Sequence, residues 1–197
     1  MVAAGQHPNI ELITYAEVTK VTGYIGNFNV TIKKKPKYVD WDLCTGCGTC
    51  MEKCPNKKIK DEFELGMGLR TSIHKVYPQA VPGKPFIDAA NCTKLTKGKC
   101  GVCEKICPTK AIKFDDKEEF VNKEVGAIVM ATGYDLFNWE EAYGEYGYGK
   151  YPDVISGLHF ERLVSAGGPT GGKIKRPSDG KEPKSVAFIK CVGSRDD

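Results

Sequence analysis

Cys44-Thr45-Gly46-Cys47-Gly48-Thr49-Cys50-Met51-Glu52-Lys53-Cys54-Pro55 is the stretch around which the rest of the chain is organised. It spaces four cysteines as C-x2-C-x2-C-x3-C-P. A second run follows: Cys92, then Cys100-Gly101-Val102-Cys103-Glu104-Lys105-Ile106-Cys107-Pro108, with seven residues rather than two between its first and second cysteines. Thiolates are soft donors that suit iron–sulfur clusters, and three of them two residues apart can wrap three irons of one cubane. Gly46, Gly48 and Gly101 keep the loops small, so that backbone N–H groups can approach cluster sulfides.

After the third cysteine the chain is expected to enter a helical turn. Cys54 lies four residues beyond Cys50, a rise of roughly 6 Å at about 1.5 Å per residue, which carries it toward a neighbouring cluster. In two-cluster ferredoxins of the bacterial type, the fourth cysteine of each run ligates the other cluster. The spacing therefore assigns Cys44, Cys47, Cys50 and Cys107 to one 4Fe-4S cluster, and Cys92, Cys100, Cys103 and Cys54 to a second. Zinc and disulfides are the competing uses of many cysteines. Zinc takes four ligands in two pairs, whereas each run here has four cysteines and a trailing proline.

The 197 residues are enough for one or two domains with a sizeable core. Hydrophobic residues make up 41% of the chain, with no apolar run of membrane-spanning length. The start, Met1-Val2-Ala3-Ala4, lacks a charged region followed by an apolar core, so nothing indicates export. Cluster cysteines must stay reduced, which points to the cytoplasm. The formal charge of +4 raises the question of nucleic acid. Two oxidised cubanes, each about −2 with its thiolates, would cancel it. The basic run Lys33-Lys34-Lys35-Pro36-Lys37 reads as a solvated strand end, and no nucleic-acid or membrane partner is expected.

Along the chain, Ile10–Ile13 reads as a buried strand, and Val18 and Val21 as an extended segment running into Gly23 and Gly26. Phe28, Val30 and Ile32 alternate with polar residues, the pattern of a half-buried strand. Residues 55–91 carry Gly66, Gly68, Pro78, Pro82, Gly83 and Pro85 and read mostly as loop, with His74 a packing residue rather than a ligand. A short strand is expected at Ala111–Phe114, and buried strands at Val125–Gly133 and Val186–Ile189. A short helix is expected over His159–Ala166, and a surface loop over Tyr143–Tyr151. Gly167–Lys173 satisfies G-x4-G-K, but Ile174 replaces the magnesium-binding Ser or Thr, and Arg176-Pro177 stands where a helix should start. No G-x-G-x-x-G fingerprint occurs, so no dinucleotide pyrophosphate site is expected in this chain.

The end of the Val125–Gly133 segment, Ala131-Thr132-Gly133, resembles the second flavin motif of thioredoxin-reductase-like flavoproteins, where a strand ends in Ala-Thr-Gly beside the flavin after a three-stranded meander. Val18 resembles the position whose backbone meets the adenine. The meander corresponds to residues 27–39 and 119–124, with the cysteine-rich unit between them. Together with Gly26-Asn27-Phe28, Pro78-Gln79-Ala80-Val81-Pro82 and Cys191-Val192-Gly193-Ser194-Arg195-Asp196, this arrangement closely resembles the A-subunit family of heterodisulfide reductase, an iron–sulfur flavoprotein family. The resemblance covers nearly all of this chain but only the middle of the family's full length.

The resemblance implies an α+β fold. A two-cluster ferredoxin-like domain over 40–118 would be inserted into a partial thioredoxin-reductase-like flavin domain of α/β type over 1–39 and 119–197. It implies electron transfer through two 4Fe-4S clusters to or from FAD, in flavin-based electron bifurcation. The expected partners are other heterodisulfide reductase subunits, hydrogenase or ferredoxin. Val18, Ala131, Thr132 and Gly133 would be flavin contacts. The family's glycine-rich fingerprint would precede Met1, so FAD is expected in the full-length protein and not in this fragment alone, which is not expected to be catalytic. Cys191 would join further cysteines after Asp197; within this chain it reads as a small buried hydrophobe. Two other readings stand beside this one: a complete flavin oxidoreductase, and a zinc-stabilised interaction module without acid-labile sulfide.

Overall fold

The computed structural model describes residues 2–137 and 144–192, and within them a mixed helix–sheet chain. Tyr143 and Gly193–Asp196, singled out in the sequence, lie outside the described residues. The chain divides into two compact units. One comprises residues 1–59 and 70–130, the other residues 60–69 and 131–197.

In the first unit, helix α1 (Val2–Gln6) precedes a three-stranded antiparallel sheet. Strands β1 (Ala16–Tyr24) and β2 (Asn27–Lys34) form a hairpin that pairs Tyr24 with Asn27, leaving Ile25-Gly26 as a two-residue loop. Gly23 has φ +101°, and a β-carbon there would lie 2.0 Å from the Asn27 carbonyl oxygen, so the turn admits no larger residue. The third strand is separated in sequence from β2 by the whole cysteine-rich region. Residues Glu119–Val125 pair with β2 from Lys34↔Glu119 to Phe28↔Val125. The half-buried pattern expected of β2 is present: Val30 is buried, with Phe28 and Ile32 partly covered. At the strand ends the basic run is matched by carboxylates. Lys33 meets Glu118 at 2.7 Å, Lys34 meets Glu119 at 3.4 Å, and Lys35 pairs with Glu17. Lys37 lies 4.2 Å over the Trp41 ring. These exposed pairs add little stability, but they neutralise the patch.

Beyond β2 the chain builds a second core. Its short elements are α2 (Thr49–Glu52), β3 (Ile59–Lys60), β4 (Leu69–Arg70), β5 (Ile73–His74), β6 (Phe86–Ile87), α3 (Thr93–Lys97) and α4 (Val102–Ile106), with Glu119–Val125 closing the unit as β7. β3 pairs with β4 and β5 with β6 in two-stranded ribbons. The expected strand at 111–114 is reduced to one bridge, Val39↔Ile112, flanked by Asp40 N–H to Ala111 O at 2.7 Å and Lys113 N–H to Tyr38 O at 3.0 Å. Asp116 accepts from the N–H groups of Lys37 and Tyr38 at 2.8 and 3.0 Å, which fixes both passes. Val39, Ile73, Ile87, Ala111 and Ile112 are buried together with Cys54 and Cys92, and Trp41, Leu95 and Phe114 pack around them.

A polar network centred on buried Arg70 and Ser72 ties the loops of this core. Arg70 Nη2 donates to Asp88 Oδ2 at 2.8 Å, and the same oxygen accepts from Asn91 Nδ2 at 2.8 Å. The Asn91 carbonyl accepts from Ser72 Oγ at 2.7 Å and Asn56 Nδ2 at 2.8 Å. Burial raises the Asp88 pKa, but hydrogen bonds from Asn91 and Arg70 outweigh it and hold the carboxyl below its ordinary value.

In the second unit, residues 60–69 form a turn closed by Asp61 N–H to Gly68 O at 3.0 Å and Gly66 N–H to Asp61 O at 2.8 Å. Helix α5 (Gly157–Val164) is capped by Ser156, whose hydroxyl accepts from His159 N–H at 3.3 Å. Arg162 of α5 reaches both Glu64 oxygens at 3.3 Å and lies 4.5 Å over the Phe63 ring. After α5 the chain folds back on the helix. A β-carbon at Gly168 would lie 1.9 Å from the Arg162 carbonyl, and Thr170 Oγ1 donates to Leu163 O at 3.1 Å. The G-x4-G-K segment is thus spent on packing against a helix C-terminus.

Three expected strands are absent. Ile10–Ile13 and Val186–Ile189 have no regular structure, and of 125–133 only Val125 lies in a strand. Val129 and Met130 are 87% and 78% exposed, and Phe188 and Ile189 are exposed as well. A strand buried on both faces needs neighbours to pair with, and among the described residues none pairs with these segments. Cys191 is exposed at φ +59°, not buried.

Because Asp88 pairs with buried Arg70 at 2.8 Å, Asp88→Ala should destabilise the first unit by about 3 kcal/mol. A denaturant midpoint at unchanged slope measures this, and a loss below about 0.5 kcal/mol, the level of an ordinary surface change, contradicts it.

Candidate metal centre

Short helices deliver the central cysteines. Gly48, at φ +82°, turns the chain into α2, which carries Cys50, and Gly101, at φ +144°, turns it into α4, which carries Cys103. Both conformations favour glycine. The seven-residue separation in the second run is taken up by α3, whose N-cap is Cys92 and whose C-cap is Gly98 at φ +67°. Cys54 and Cys107 leave α2 and α4 in the segments that follow, each before a proline.

The eight thiols line two cavities. One is bounded by Cys44, Cys47, Cys50 and Cys107, with Val39, Ala111 and Ile112 as part of its apolar wall. The other is bounded by Cys54, Cys92, Cys100 and Cys103, with Ile73 and Ile87 in its wall. Each cavity, its mouth included, leaves about 370 Å³ unfilled by protein atoms. The fourth cysteine of each run therefore faces the cavity of the other run. Among the described residues, no three His, Cys, Asp or Glu side chains converge on a point that could hold one metal ion. Four thiols distributed around an apolar-walled cavity are the donor set of a polynuclear iron–sulfur core, and the residues present fit two such groups.

Burial sets the acid–base state of the thiols. It pushes Cys50 up to about 11, with Cys44 adding to the effect, and Cys103 up to about 12, with Cys92 adding to it. Both are protonated at neutral pH in the free chain, so binding metal there releases protons. The Thr49 hydroxyl lowers the pKa of Cys47. Burial raises that of Cys107, but the Ala111 N–H and the Thr109 hydroxyl reverse it, and the net shift is downward. Around the first cavity the loop is braced from outside. Trp41 Nε1 donates to Pro85 O at 2.8 Å, and Lys84 Nζ donates to the carbonyls of Trp41 and Cys44. His74 lies in β5 with its ring tilted against that of Phe86, 4.5 Å between centroids, and lines neither thiol cavity.

The residues expected at a flavin lie elsewhere. Val18 sits on β1 opposite Ile32, beside a register shift, and is 62% exposed. Ala131, Thr132 and Gly133 belong to the second unit, exposed and without regular structure. Thr49, Thr109 and Lys84 were not singled out in the sequence. The threonines had a signal there, since each follows a cysteine of a run by two residues.

Residues 37–57 match the family model described as "4Fe-4S binding domain", which makes this segment a 4Fe-4S binding one. The whole chain is 51% identical to the A subunit of H(2):CoB-CoM heterodisulfide,ferredoxin reductase from Methanothermobacter thermautotrophicus, and covers 29% of that protein. It is 52% identical over 196 residues to the iron-sulfur A subunit of CoB--CoM heterodisulfide reductase from Methanocaldococcus jannaschii, again 29% of its length. It is 44% identical to the A subunit of the Ferredoxin/F(420)H(2)-dependent CoB-CoM heterodisulfide reductase from Methanosarcina acetivorans, covering 24% of it. The chain thus spans under a third of the length of these relatives.

The crossed arrangement is open to a direct test. On the metal-loaded chain, Cys54→Ala should perturb the spectroscopic signature of a cluster held at Cys92, Cys100 and Cys103 and leave that of one held at Cys44, Cys47 and Cys50 unchanged. Loss confined to the latter would show that the sets are contiguous.

Proposed function

Given that this chain belongs to the A-subunit family of heterodisulfide reductase, matching 24% to 29% of the length of the relatives above, we propose that it holds two 4Fe-4S clusters and passes electrons through them. The observation that carries the proposal is the pair of four-thiol cavities with exchanged fourth members. Cys44, Cys47, Cys50 and Cys107 would hold one cluster and Cys54, Cys92, Cys100 and Cys103 the other. When bound, each cluster supplies reversible one-electron transfer. The chain's own part is to hold and shield them. Val39, Ile73, Ile87, Ala111 and Ile112 keep water from the inner faces, and Cys47 and Cys100, both exposed residues, leave each cavity a side open to a partner.

The cysteine-rich region, 40–118 in this reading, is a ferredoxin-like domain inserted in a thioredoxin-reductase-like flavin domain made of 1–39 and 119–197. In support, β2 and β7 are adjacent strands of one sheet, although the cysteine-rich region separates them in sequence. Val18 and Ala131–Gly133 would meet FAD once the rest of that domain is present. Names of relatives include hydrogen, formate and ferredoxin. On that basis the full-length protein would work with other heterodisulfide reductase subunits and a hydrogenase or ferredoxin, and the family resemblance adds flavin-based electron bifurcation as its role. Thiolates that are to hold clusters must stay reduced, which suits a reducing cytoplasm. Among the described residues no helix is long and apolar enough to cross a membrane.

Iron, acid-labile sulfide, zinc and flavin measured on one anaerobic sample test the proposal. The expected result is about eight irons and about eight sulfides per chain. Stoichiometric zinc without sulfide would replace the electron relay by an interaction module.

A further inference from the structure

The cysteine repeat is unsymmetric two residues past its sulfurs. Cys47-Gly48-Thr49 in the first run answers to Cys100-Gly101-Val102 in the second, and Cys54-Pro55-Asn56 answers to Cys107-Pro108-Thr109. Each run therefore carries one threonine at such a position, but at different cysteines. Since the last cysteine of each run faces the other run's cavity, both hydroxyls arrive at the same cavity. Thr49 Oγ1 lies 3.5 Å from Cys47 Sγ, and Thr109 Oγ1 lies 3.6 Å from Cys107 Sγ. Two backbone donors join them: Gly46 N–H to Cys44 Sγ at 3.4 Å, and Ala111 N–H to Cys107 Sγ at 3.3 Å.

The cavity of Cys54, Cys92, Cys100 and Cys103 is lined by Ser72 and Thr93, but Ser72 Oγ donates to Asn91 O at 2.7 Å, and among the described residues no hydroxyl bonds to a sulfur of this set. Val102 has none to offer, and the Asn56 amide is engaged by Ser72 Oγ at 3.0 Å and Asn91 O at 2.8 Å. Cys54 Sγ instead donates to the Asn56 carbonyl at 3.7 Å, a contact that a deprotonated sulfur loses. Other features balance. The N–H groups of Met51 and Glu104 act alike on Cys50 and Cys103. Lys84 braces one cavity, and Lys94 lines the other. Burial does not balance, because Cys54 and Cys92 are 8% and 7% exposed while no sulfur-bearing residue of the first set is buried.

Reduction of a cluster adds one electron and moves no bond, so the reduced form carries one more negative charge. Hydrogen bonds to the sulfurs and contact with solvent stabilise that charge and raise the potential. Both differences favour the same site. On the two-cluster reading above, we infer that Thr49 and Thr109 make the Cys44–Cys47–Cys50–Cys107 site the higher-potential member of the pair. An electron shared between the two sites rests there, and the Cys54–Cys92–Cys100–Cys103 site is the stronger reductant. Thr49 and Thr109 are positioning residues: they touch ligand sulfurs and bind no metal.

A redox titration followed by electron paramagnetic resonance, on the anaerobic, cluster-loaded chain, tests this. The wild type should show two midpoint potentials. Thr49→Val with Thr109→Val should lower the higher one by about tenfold in the reduced-to-oxidised ratio, about 59 mV for a one-electron couple, and leave the lower one in place. Val102→Thr should raise the lower midpoint. Iron and sulfide are measured on every sample. A double variant with full iron whose higher midpoint stays put, or whose lower midpoint moves instead, overturns the inference. Where the double variant loses iron, Val102→Thr decides, and an unmoved lower midpoint overturns it. A wild type without two clusters' worth of iron and sulfide overturns the two-cluster reading itself.

Discussion

The exchange of the fourth cysteines is the constraint on which the first unit depends. Cys54 belongs in sequence to the first run and Cys107 to the second, yet each lines the opposite cavity. To meet it, α2 and α4 must pack side by side, and the chain between the runs must return to its starting point. The apolar residues do this with little regular structure. Ile73 and Ile87, from a two-residue ribbon, line one thiol cavity, Val39 and Ile112, from a single bridge, line the other, and all four belong to one buried cluster. With strands this short, hydrogen bonds of the ladder type cannot carry the unit. The Arg70–Asp88–Asn91 network, which also reaches Asn56 beside Cys54 and Asn91 beside Cys92, supplies the missing specification.

On the proposed reading, the same exchange would give the sites different chemistry from nearly repeated sequence. Two runs with one threonine each could have produced equivalent sites. Crossing the last ligand gathers both hydroxyls at one cavity and leaves the other with Val102 and the occupied Asn56 amide. A polarity for electron flow then needs no difference in ligand type, only in what donates to the sulfurs.

The cysteine spacing made the thiol lining of both cavities legible, because the spacing within each run is local and the exchanged grouping follows the two-cluster ferredoxin pattern. Each run fixes its own helical turn, and the ligand chemistry demands four thiols per cluster. The alternation at Phe28, Val30 and Ile32 likewise gave β2, since one face of that strand is covered within the first unit. Apolar runs were less reliable guides. Val125–Gly133 and Val186–Ile189 have the composition of buried strands, but composition states only that a segment can be buried, not that a neighbour is present to pair with it. Here they stay exposed. The short ribbons β3–β4 and β5–β6 were invisible for the opposite reason, being too brief to leave any periodicity. Asp88 and Arg70 were not legible either, because a polar network is a tertiary fact.

The central claim is the membership of each four-thiol set, and locating the metal measures it most directly. Anomalous diffraction at the iron absorption edge, from anaerobically grown crystals of the loaded chain, should give two iron sites. One should be bounded by the sulfurs of Cys44, Cys47, Cys50 and Cys107, and the other by those of Cys54, Cys92, Cys100 and Cys103. A site bounded by Cys44, Cys47, Cys50 and Cys54, or single metal ions in place of clusters, would contradict the account.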